Sequence, residues 1–283
     1  MSAFREGSVL CLDPHGFHRM RHVEWGDAAN PRVLVCVHGL TRNGRDFDYL
    51  AESLCDAYRV VCPDIVGRGR SERLRDPSDY TYTVYLNDMT TLIASLRAET
   101  VDWVGTSMGG IFGMMLAALP GSPIRKLVLN DVGAVIPAAA IERIGKYIGA
   151  EPAFDSIEAL ESAMKSVSPF GELTGDQWRH LAIHVAHRGD DGRWRFRYDP
   201  GIARNFQAAP KGDVDLRPYW NRIPGPVLVL RGDASDLLLP ATLEEMRRRP
   251  HTQVHIVPRC GHAPMLMDAA QAGAIRHFLL NAE

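Results

Sequence analysis

The chain has 283 residues, 46% of them hydrophobic and 23% charged, which is the composition of an ordinary soluble globular protein and excludes collagen-like and disordered chains. Its formal net charge of −2 at pH 7 provides neither a basic field for nucleic acid nor a polybasic patch for an anionic membrane. Neither is therefore an expected partner.

The chain length favours one large core that carries an inserted subdomain. The opening residues, MSAFREGSVLCLDPHG, lack the apolar run of a signal peptide, and the longest apolar stretch, residues 111–119, is too short to span a bilayer. The five cysteines are an odd number, include no Cys-x-x-Cys pair and have no zinc-ligand spacing. We expect a cytoplasmic protein that holds no metal.

The first predicted elements are two strands, SVLCLD and FHRMRHVEWG, joined by the turn-forming DPHG. Six short β-branched runs follow, and their compositions predict buried parallel strands: residues 32–38, 58–64, 100–107, 125–131, 226–233 and 253–258. Helix-like segments lie between them, namely FDYLAESL, TVYLNDMTTLIASLRA and GGIFGMMLAAL. This alternation predicts a doubly wound α/β sheet with an antiparallel edge formed by the first two strands.

The alternation stops between residues 134 and 224, where a short connection is normal. This segment contains three helical candidates, PAAAIERIGKYIG, SIEALESAMKSV and GDQWRHLAIHVAHR, followed by RWRFRYDP. We expect residues 134–224 to form a helical cap, and residues 1–133 and 225–283 to form the core. Ligands of open parallel sheets bind at the carboxyl ends of the strands, where such an insertion emerges. The cap is therefore expected to cover the functional site.

One predicted strand-to-helix turn contains a candidate nucleophile. Residues 105–109 (GTSMG) match Gly-x-Ser-x-Gly between a strand and a helix, a setting that holds the serine in a strained turn and presents its hydroxyl outward. Glycines on both sides let the neighbouring backbone pass close by. The pattern therefore points to Ser107 as a nucleophile, whereas the structural alternative is a serine that merely caps the helix.

With this turn the chain resembles the α/β-hydrolase superfamily, over nearly its whole length from His38 to His262. Three further stretches match the family in order: residues 38–41 (HGLT), 64–71 (DIVGRGRS) and 261–264 (GHAP). The resemblance implies the α/β-hydrolase fold, which is a mostly parallel twisted sheet flanked by helices, with an inserted helical cap. It also implies a serine hydrolase.

A serine hydroxyl needs a base within hydrogen-bond reach, and a neutral imidazole suits this role near pH 7. His262 is the candidate, since it follows the last predicted strand and precedes the last helix, as the resemblance requires of the base. A histidine that only caps the final helix is the alternative.

A carboxylate is expected behind the imidazole, to orient it and to stabilise its cationic form. In the family order this acid follows the strand PVLVLRGD. Asp236 is favoured because family members with a similar Ser-Asp-Leu-Leu segment carry the acid there. Asp233 is the alternative, and Asp131, after the preceding strand, is the last candidate.

Two backbone amides are expected to stabilise the oxyanion that forms when a carbonyl is attacked. One is the amide of Met108, directly after the nucleophile. The other, by resemblance, is the amide of Leu40, and the same resemblance gives His38 a role in bracing this loop.

The predicted activity is hydrolysis of a small-molecule carboxylic ester, or a similar acyl bond, through an acyl-enzyme and without a cofactor. A lactonase or a carbon–carbon bond hydrolase can use the same residues, and some members of the scaffold are small-molecule receptors. Relatives that cleave haloalkanes or epoxides carry an aspartate where this chain has Ser107, which disfavours those chemistries.

Other charged and aromatic segments allow more than one interpretation. Residues 64–71 hold two glycines and arginines but lack the lysine of a phosphate-binding loop, so a structural role is favoured. Four cap arginines either clamp a substrate carboxylate or lie on a solvated face: Arg188, Arg193, Arg195 and Arg197. Four cap aromatics either line an acyl pocket or form the core of the cap: Phe170, Trp178, Trp194 and Phe196.

Overall fold

The structure is a computed structural model that describes residues 4–208 and 212–281. Its central feature is an eight-stranded sheet. Its strands, numbered in chain order, are β1 (Arg5–Asp13), β2 (Gly16–Trp25), β3 (Val33–Val37), β4 (Arg59–Pro63), β5 (Val101–Thr106), β6 (Ile124–Asn130), β11 (Val227–Gly232) and β12 (Thr252–Val257). The shorter strands β7 (Val135–Ile136), β8 (Ala186–Arg188), β9 (Trp194–Phe196) and β10 (Val214–Asp215) lie outside it. The helices are α1 (Asp48–Leu54), α2 (Tyr82–Ser95), α3 (Met108–Ala117), α4 (Ala138–Gly145), α5 (Ile157–Val167), α6 (Gly175–Val185), α7 (Ala203–Ala208), α8 (Arg217–Trp220), α9 (Pro240–Arg247) and α10 (Ala269–Leu280).

The strand order in the large sheet is β1-β2-β4-β3-β5-β6-β11-β12. β1 pairs antiparallel with β2, and β2 pairs antiparallel with β4, whereas all the other neighbours are parallel. The structure thus confirms the predicted doubly wound sheet with an antiparallel edge. Because β3, β5, β6 and β11 are consecutive and parallel, the segments that follow them emerge at one edge of the sheet.

The sequence forms this sheet because its central strands are apolar on both faces. All five residues of β3 are buried, as are all six of β11, and helices cover each side. One apolar cluster packs α2 and α3 against the sheet, and a second packs α1 and α10 against the opposite face. Trp103 on β5 is fully buried, and its indole N–H donates to the Gly109 carbonyl at 3.0 Å, which ties the central strand to α3.

Residues 134–224 contain α4 to α8 and two small two-stranded sheets, β7 with β10 and β8 with β9. Helices form at each of the three predicted helical candidates. α6 begins with a capping box, in which Thr174 and Gln177 satisfy each other's backbone amides. A third apolar cluster joins α5 and α6 to Met265 and Met267, which follow β12. No helix within the two described ranges combines the length and the apolar character needed to cross a bilayer.

Candidate active site

Ser107 lies between β5 and α3 with φ 52° and ψ −115°, a backbone conformation that non-glycine residues rarely adopt. The two flanking glycines make this turn possible. A Cβ on Gly109 would lie 2.0 Å from the Val37 carbonyl oxygen, and one on Gly105 would lie 2.3 Å from the Gly109 carbonyl oxygen. Backbone occupies the space that side chains at these positions would need, so the close turn leaves the Ser107 hydroxyl at the sheet edge.

His262 lies in the segment between β12 and α10, with its ring against Ser107. Its Nε2 is 2.9 Å from Ser107 Oγ, and its Nδ1 is 2.8 Å from Asp131 Oδ2. An ionised carboxylate can only accept, so Nδ1 carries the proton and donates to Asp131. Nε2 is then free to accept the hydroxyl proton of Ser107, which is the arrangement that a general base requires.

Asp131 follows β6 directly, and its side chain is fully buried. Three groups donate to its carboxylate. The Gly232 amide donates to Oδ1 at 2.9 Å, and the Ser235 hydroxyl, at 2.6 Å, and His262 Nδ1 both donate to Oδ2. Buried carboxylates need such partners because water no longer solvates them. The end of β11 and the loop after it therefore hold the carboxylate that meets the imidazole without supplying it.

The structure places Asp236 away from His262, and this corrects the expectation that Asp236 is the carboxylate behind the imidazole. Its side chain is about half exposed and forms a two-point ion pair with Arg143 of α4, at 2.6 and 3.0 Å. Asp233 accepts from the Cys260 amide at 3.1 Å. Hydrogen bonds from the backbone amides of Arg259, which has the larger effect, and Cys260 lower the pKa of its carboxyl. Of the three candidates, the structure brings only Asp131 to the imidazole.

A local signal for Asp131 is present in the sequence. It ends the run RKLVLND, and β6 lies between β5 and β11 in the sheet. An acid at the end of β6 thus emerges beside the serine at the end of β5. The sequence order of strands alone does not show this adjacency.

The loop after β3 lies against the candidate nucleophile on its other side. A Cβ on Gly39 would lie 3.6 Å from Ser107 Cβ, so the next amide in the chain, that of Leu40, is in the neighbourhood of the serine. The Met108 amide begins α3 directly after Ser107. These are the two amides expected to bind an oxyanion.

His38 is fully buried, and its ring braces this loop. Nε2 accepts from the Ile65 amide at 2.9 Å, so the ring proton is on Nδ1, which lies 2.7 Å from the Gly39 carbonyl and donates to it. Burial lowers the pKa of His38 to about 3, and the nearby Arg68 and Arg42 guanidinium groups act in the same direction. His38 is therefore neutral near pH 7.

Arg68, from the DIVGRGRS segment, is 1% exposed and holds the same loop from below. Its Nε donates to the Leu40 carbonyl at 2.9 Å, and its Nη1 donates to the Val66 carbonyl and the Tyr85 hydroxyl. This guanidinium fixes the peptide group that follows Leu40. The sequence pattern predicted a structural role for the segment but did not single out Arg68.

The cap arginines bind partners that lie, like them, in residues 134–224. The Nε of Arg188 donates to the Gly192 carbonyl, and Arg195 forms a two-point ion pair with Asp191. Arg193 binds Asp155 and the Ala153 carbonyl, and the Nε of Arg197 donates to the Ala186 carbonyl. The four predicted aromatics pack with the apolar cluster of the cap, with Phe170 stacked on Trp178.

Three groups of described residues bring possible metal ligands within 4.8 Å of one another: Cys11, His18 and Asp88; Asp48, His180 and His184; and Asp13, His15 and Asp79. None of these groups includes Ser107, His262 or Asp131. In the first, His18 already lies between Asp13 and Asp88, at 2.9 Å from each. The expectation that the protein needs no metal stays a prediction.

Comparisons with known proteins agree with this fold. Residues 34–274 match the alpha/beta hydrolase family. The 3-hydroxybutyrate-oligomer hydrolase of Cupriavidus necator is 50% identical, over 98% of each chain. An alpha/beta hydrolase structure from Novosphingobium aromaticivorans superimposes with a TM-score of 0.88 at 35% identity, over 99% of each chain. A structure from Rickettsia typhi superimposes with a TM-score of 0.92 at 30% identity, over 99% of this chain and 100% of the other. The resemblance seen in the sequence motifs is thereby confirmed, and the chain belongs to the alpha/beta hydrolase family.

Proposed function

We propose that this hydrolase is a serine esterase that uses Ser107 as nucleophile, His262 as base and Asp131 as the acid behind the base. The observation that carries the proposal is the continuous series of hydrogen bonds from Ser107 Oγ to His262 and on to Asp131, at 2.9 and 2.8 Å. The strained turn at Ser107 and the amides of Leu40 and Met108 beside it support the same reaction.

In the first step Ser107 Oγ attacks the ester carbonyl while His262 Nε2 takes the hydroxyl proton. The imidazolium that forms is stabilised by Asp131, and the oxyanion by the Leu40 and Met108 amides. His262 then gives the proton to the leaving alcohol, and an acyl group stays on Ser107. A water molecule, deprotonated by His262, releases the acid and restores the hydroxyl.

The substrate class that we propose is an ester of a short hydroxy acid. The Cupriavidus necator relative acts, by its name, on oligomers of 3-hydroxybutyrate, and its 50% identity extends over 98% of this chain. Such oligomers are carboxylic esters, which fits the chemistry of the site. A soluble dimer of 3-hydroxybutyrate is therefore the test substrate of choice.

The decisive experiment compares the wild type with Ser107→Ala and Ser166→Ala on p-nitrophenyl butyrate and on the 3-hydroxybutyrate dimer, with a fluorophosphonate probe read by mass spectrometry. Ser166 is an exposed serine of α5 and serves as the control. We expect turnover and labelling to vanish only in Ser107→Ala. Activity that persists in this variant would overturn the proposal.

The alternative activities have distinct outcomes when the same assay also includes a cyclic ester. A lactonase opens cyclic esters faster than linear ones, and a carbon–carbon bond hydrolase leaves the oligomers intact. A receptor binds a small molecule without multiple turnover. The cytoplasmic location stays a prediction from the sequence.

A further inference from the structure

Arg42 lies in the loop between β3 and α1, two residues beyond the amide expected in the oxyanion hole. Its side chain is 14% exposed. A Cβ on Gly39 would lie 3.9 Å from Arg42 Cγ and 3.6 Å from Ser107 Cβ. The stem of Arg42 and the candidate nucleophile thus flank the same glycine, so a substrate attached at Ser107 that extends past Gly39 would meet this side chain.

The guanidinium is anchored along one edge only. Nε and Nη2 donate to the two oxygens of Asp46 at 2.7 and 2.6 Å, which fixes the plane of the group. Nη1 contacts the Met164 Sδ at 3.5 Å, and a thioether is a weak acceptor. The end formed by Nη1 and Nη2 therefore retains donor capacity for a second carboxylate.

The surroundings of this end are apolar and come from the cap and the His262 loop. The guanidinium carbon lies 5.6 Å from the centre of the Phe170 ring, which stacks on Trp178. Pro169, beside Phe170, accepts from the Gly261 amide at 2.7 Å, directly before His262. A charged hydrogen bond made between these apolar walls is stronger than one made in open water.

We propose that Arg42 binds the free carboxylate of the substrate's leaving group, so that the enzyme selects esters of 3-hydroxy acids with an unblocked carboxyl end. This proposal rests on the proposed esterase function. In a hydroxy-acid oligomer, the only free carboxylate belongs to the terminal unit, and this unit leaves as the alcohol when the last ester bond is cleaved. Recognition near Ser107 thus directs hydrolysis to the carboxyl end of the chain.

The test uses two forms of the 3-hydroxybutyrate dimer, the free acid and its neutral primary amide, with wild type, Arg42→Met, Arg42→Lys and the control Arg193→Met. The measured quantity is the ratio of kcat/KM for the acid to that for the amide. We expect Arg42→Met to lower this ratio by roughly 10- to 100-fold, mainly through KM for the acid, because a charge-assisted hydrogen bond is lost. Arg42→Lys should keep part of the preference, and Arg193→Met should keep all of it.

Three outcomes would overturn the inference. In the first, the wild type hydrolyses both dimers with equal kcat/KM. In the second, Arg42→Met lowers kcat/KM for both dimers by the same factor, which marks a structural role. In the third, the wild type hydrolyses p-nitrophenyl butyrate through Ser107 but neither dimer, which leaves the esterase function standing. A protein that hydrolyses no ester at all removes the proposed function itself.

Discussion

Asp131 and His262 come from opposite sides of β11: Asp131 follows β6, His262 follows β12, and Oδ2 and Nδ1 meet at 2.8 Å. The strand between them contributes Gly232 and Ser235, which also bind the carboxylate. Three adjacent strand ends thus fix one carboxylate and one imidazole. The orientation of the imidazole toward Ser107 depends on all three.

We expect Asp131→Asn to lower kcat by about 10³- to 10⁴-fold on p-nitrophenyl butyrate, because an amide in this position favours the wrong tautomer of His262. Asp236→Asn, which breaks the ion pair with Arg143 on the partly exposed cap surface, should change kcat by less than about threefold. Steady-state kinetics of the two variants side by side check this. The reverse ranking would return the acid to Asp236.

Ser107 and His262 could be predicted from sequence because each has a local pattern. Ser107 lies in a glycine-flanked turn between a strand and a helix, and His262 lies between the last strand and the last helix. The carboxylate that meets the imidazole cannot be singled out in this way, because an aspartate follows both β6 and β11. Only the packing of Ser235 and Gly232 around Asp131 distinguishes the two.

The residues that hold the loop after β3, which contains Leu40, were harder to predict for a related reason. Arg68 is separated from Leu40 by 28 positions, and its buried contacts depend on how the β3 and β4 loops pack. Arginine on a polar segment usually indicates an exposed side chain. The sheet was more accessible to prediction because its buried strands are continuous apolar runs.

The close approach at Gly109 gives a prediction about folding. A Cβ there would lie 2.0 Å from backbone that cannot move aside, so Gly109→Ala should lower the free energy of unfolding by about 3 kcal/mol or more. Gly273 lies in α10, and a Cβ there would meet no described atom within 4 Å beyond the backbone of its own helix, so Gly273→Ala should raise this free energy by about 0.5–1 kcal/mol. Urea unfolding of both variants is the measurement, and equal effects would contradict the packing described.

Arg68 should act as a positioning residue for the Leu40 amide. Arg68→Met removes the donor to the Leu40 carbonyl, and the resulting shift of the loop should lower kcat by roughly 10- to 100-fold while KM changes little. Tyr85→Phe removes only the far contact of the same guanidinium and should leave kcat near the wild-type value. A matching rise in KM, or a loss of activity that follows the loss of folded protein, would indicate a merely structural role.

His38 predicts how stability depends on pH. Its pKa is about 3 in the folded protein and 6.5 as an ordinary histidine, so between these values the unfolded chain binds the extra proton. The stability contributed by the neutral ring is complete above pH 6.5 and is lost as pH falls toward 3, by up to about 1.4 kcal/mol per pH unit.

Between pH 7.5 and 5.0 the wild type should therefore lose about 2 kcal/mol more unfolding free energy than His38→Gln does. Urea titrations of both proteins at the two pH values measure this difference directly. The comparison cancels the contribution of His184, whose pKa is also lowered by burial and which both proteins retain. If the unfolding free energy falls by the same amount between the two pH values in both proteins, His38 is protonated equally in the folded and unfolded chains. The ring would then not hold the loop after β3 as a neutral group.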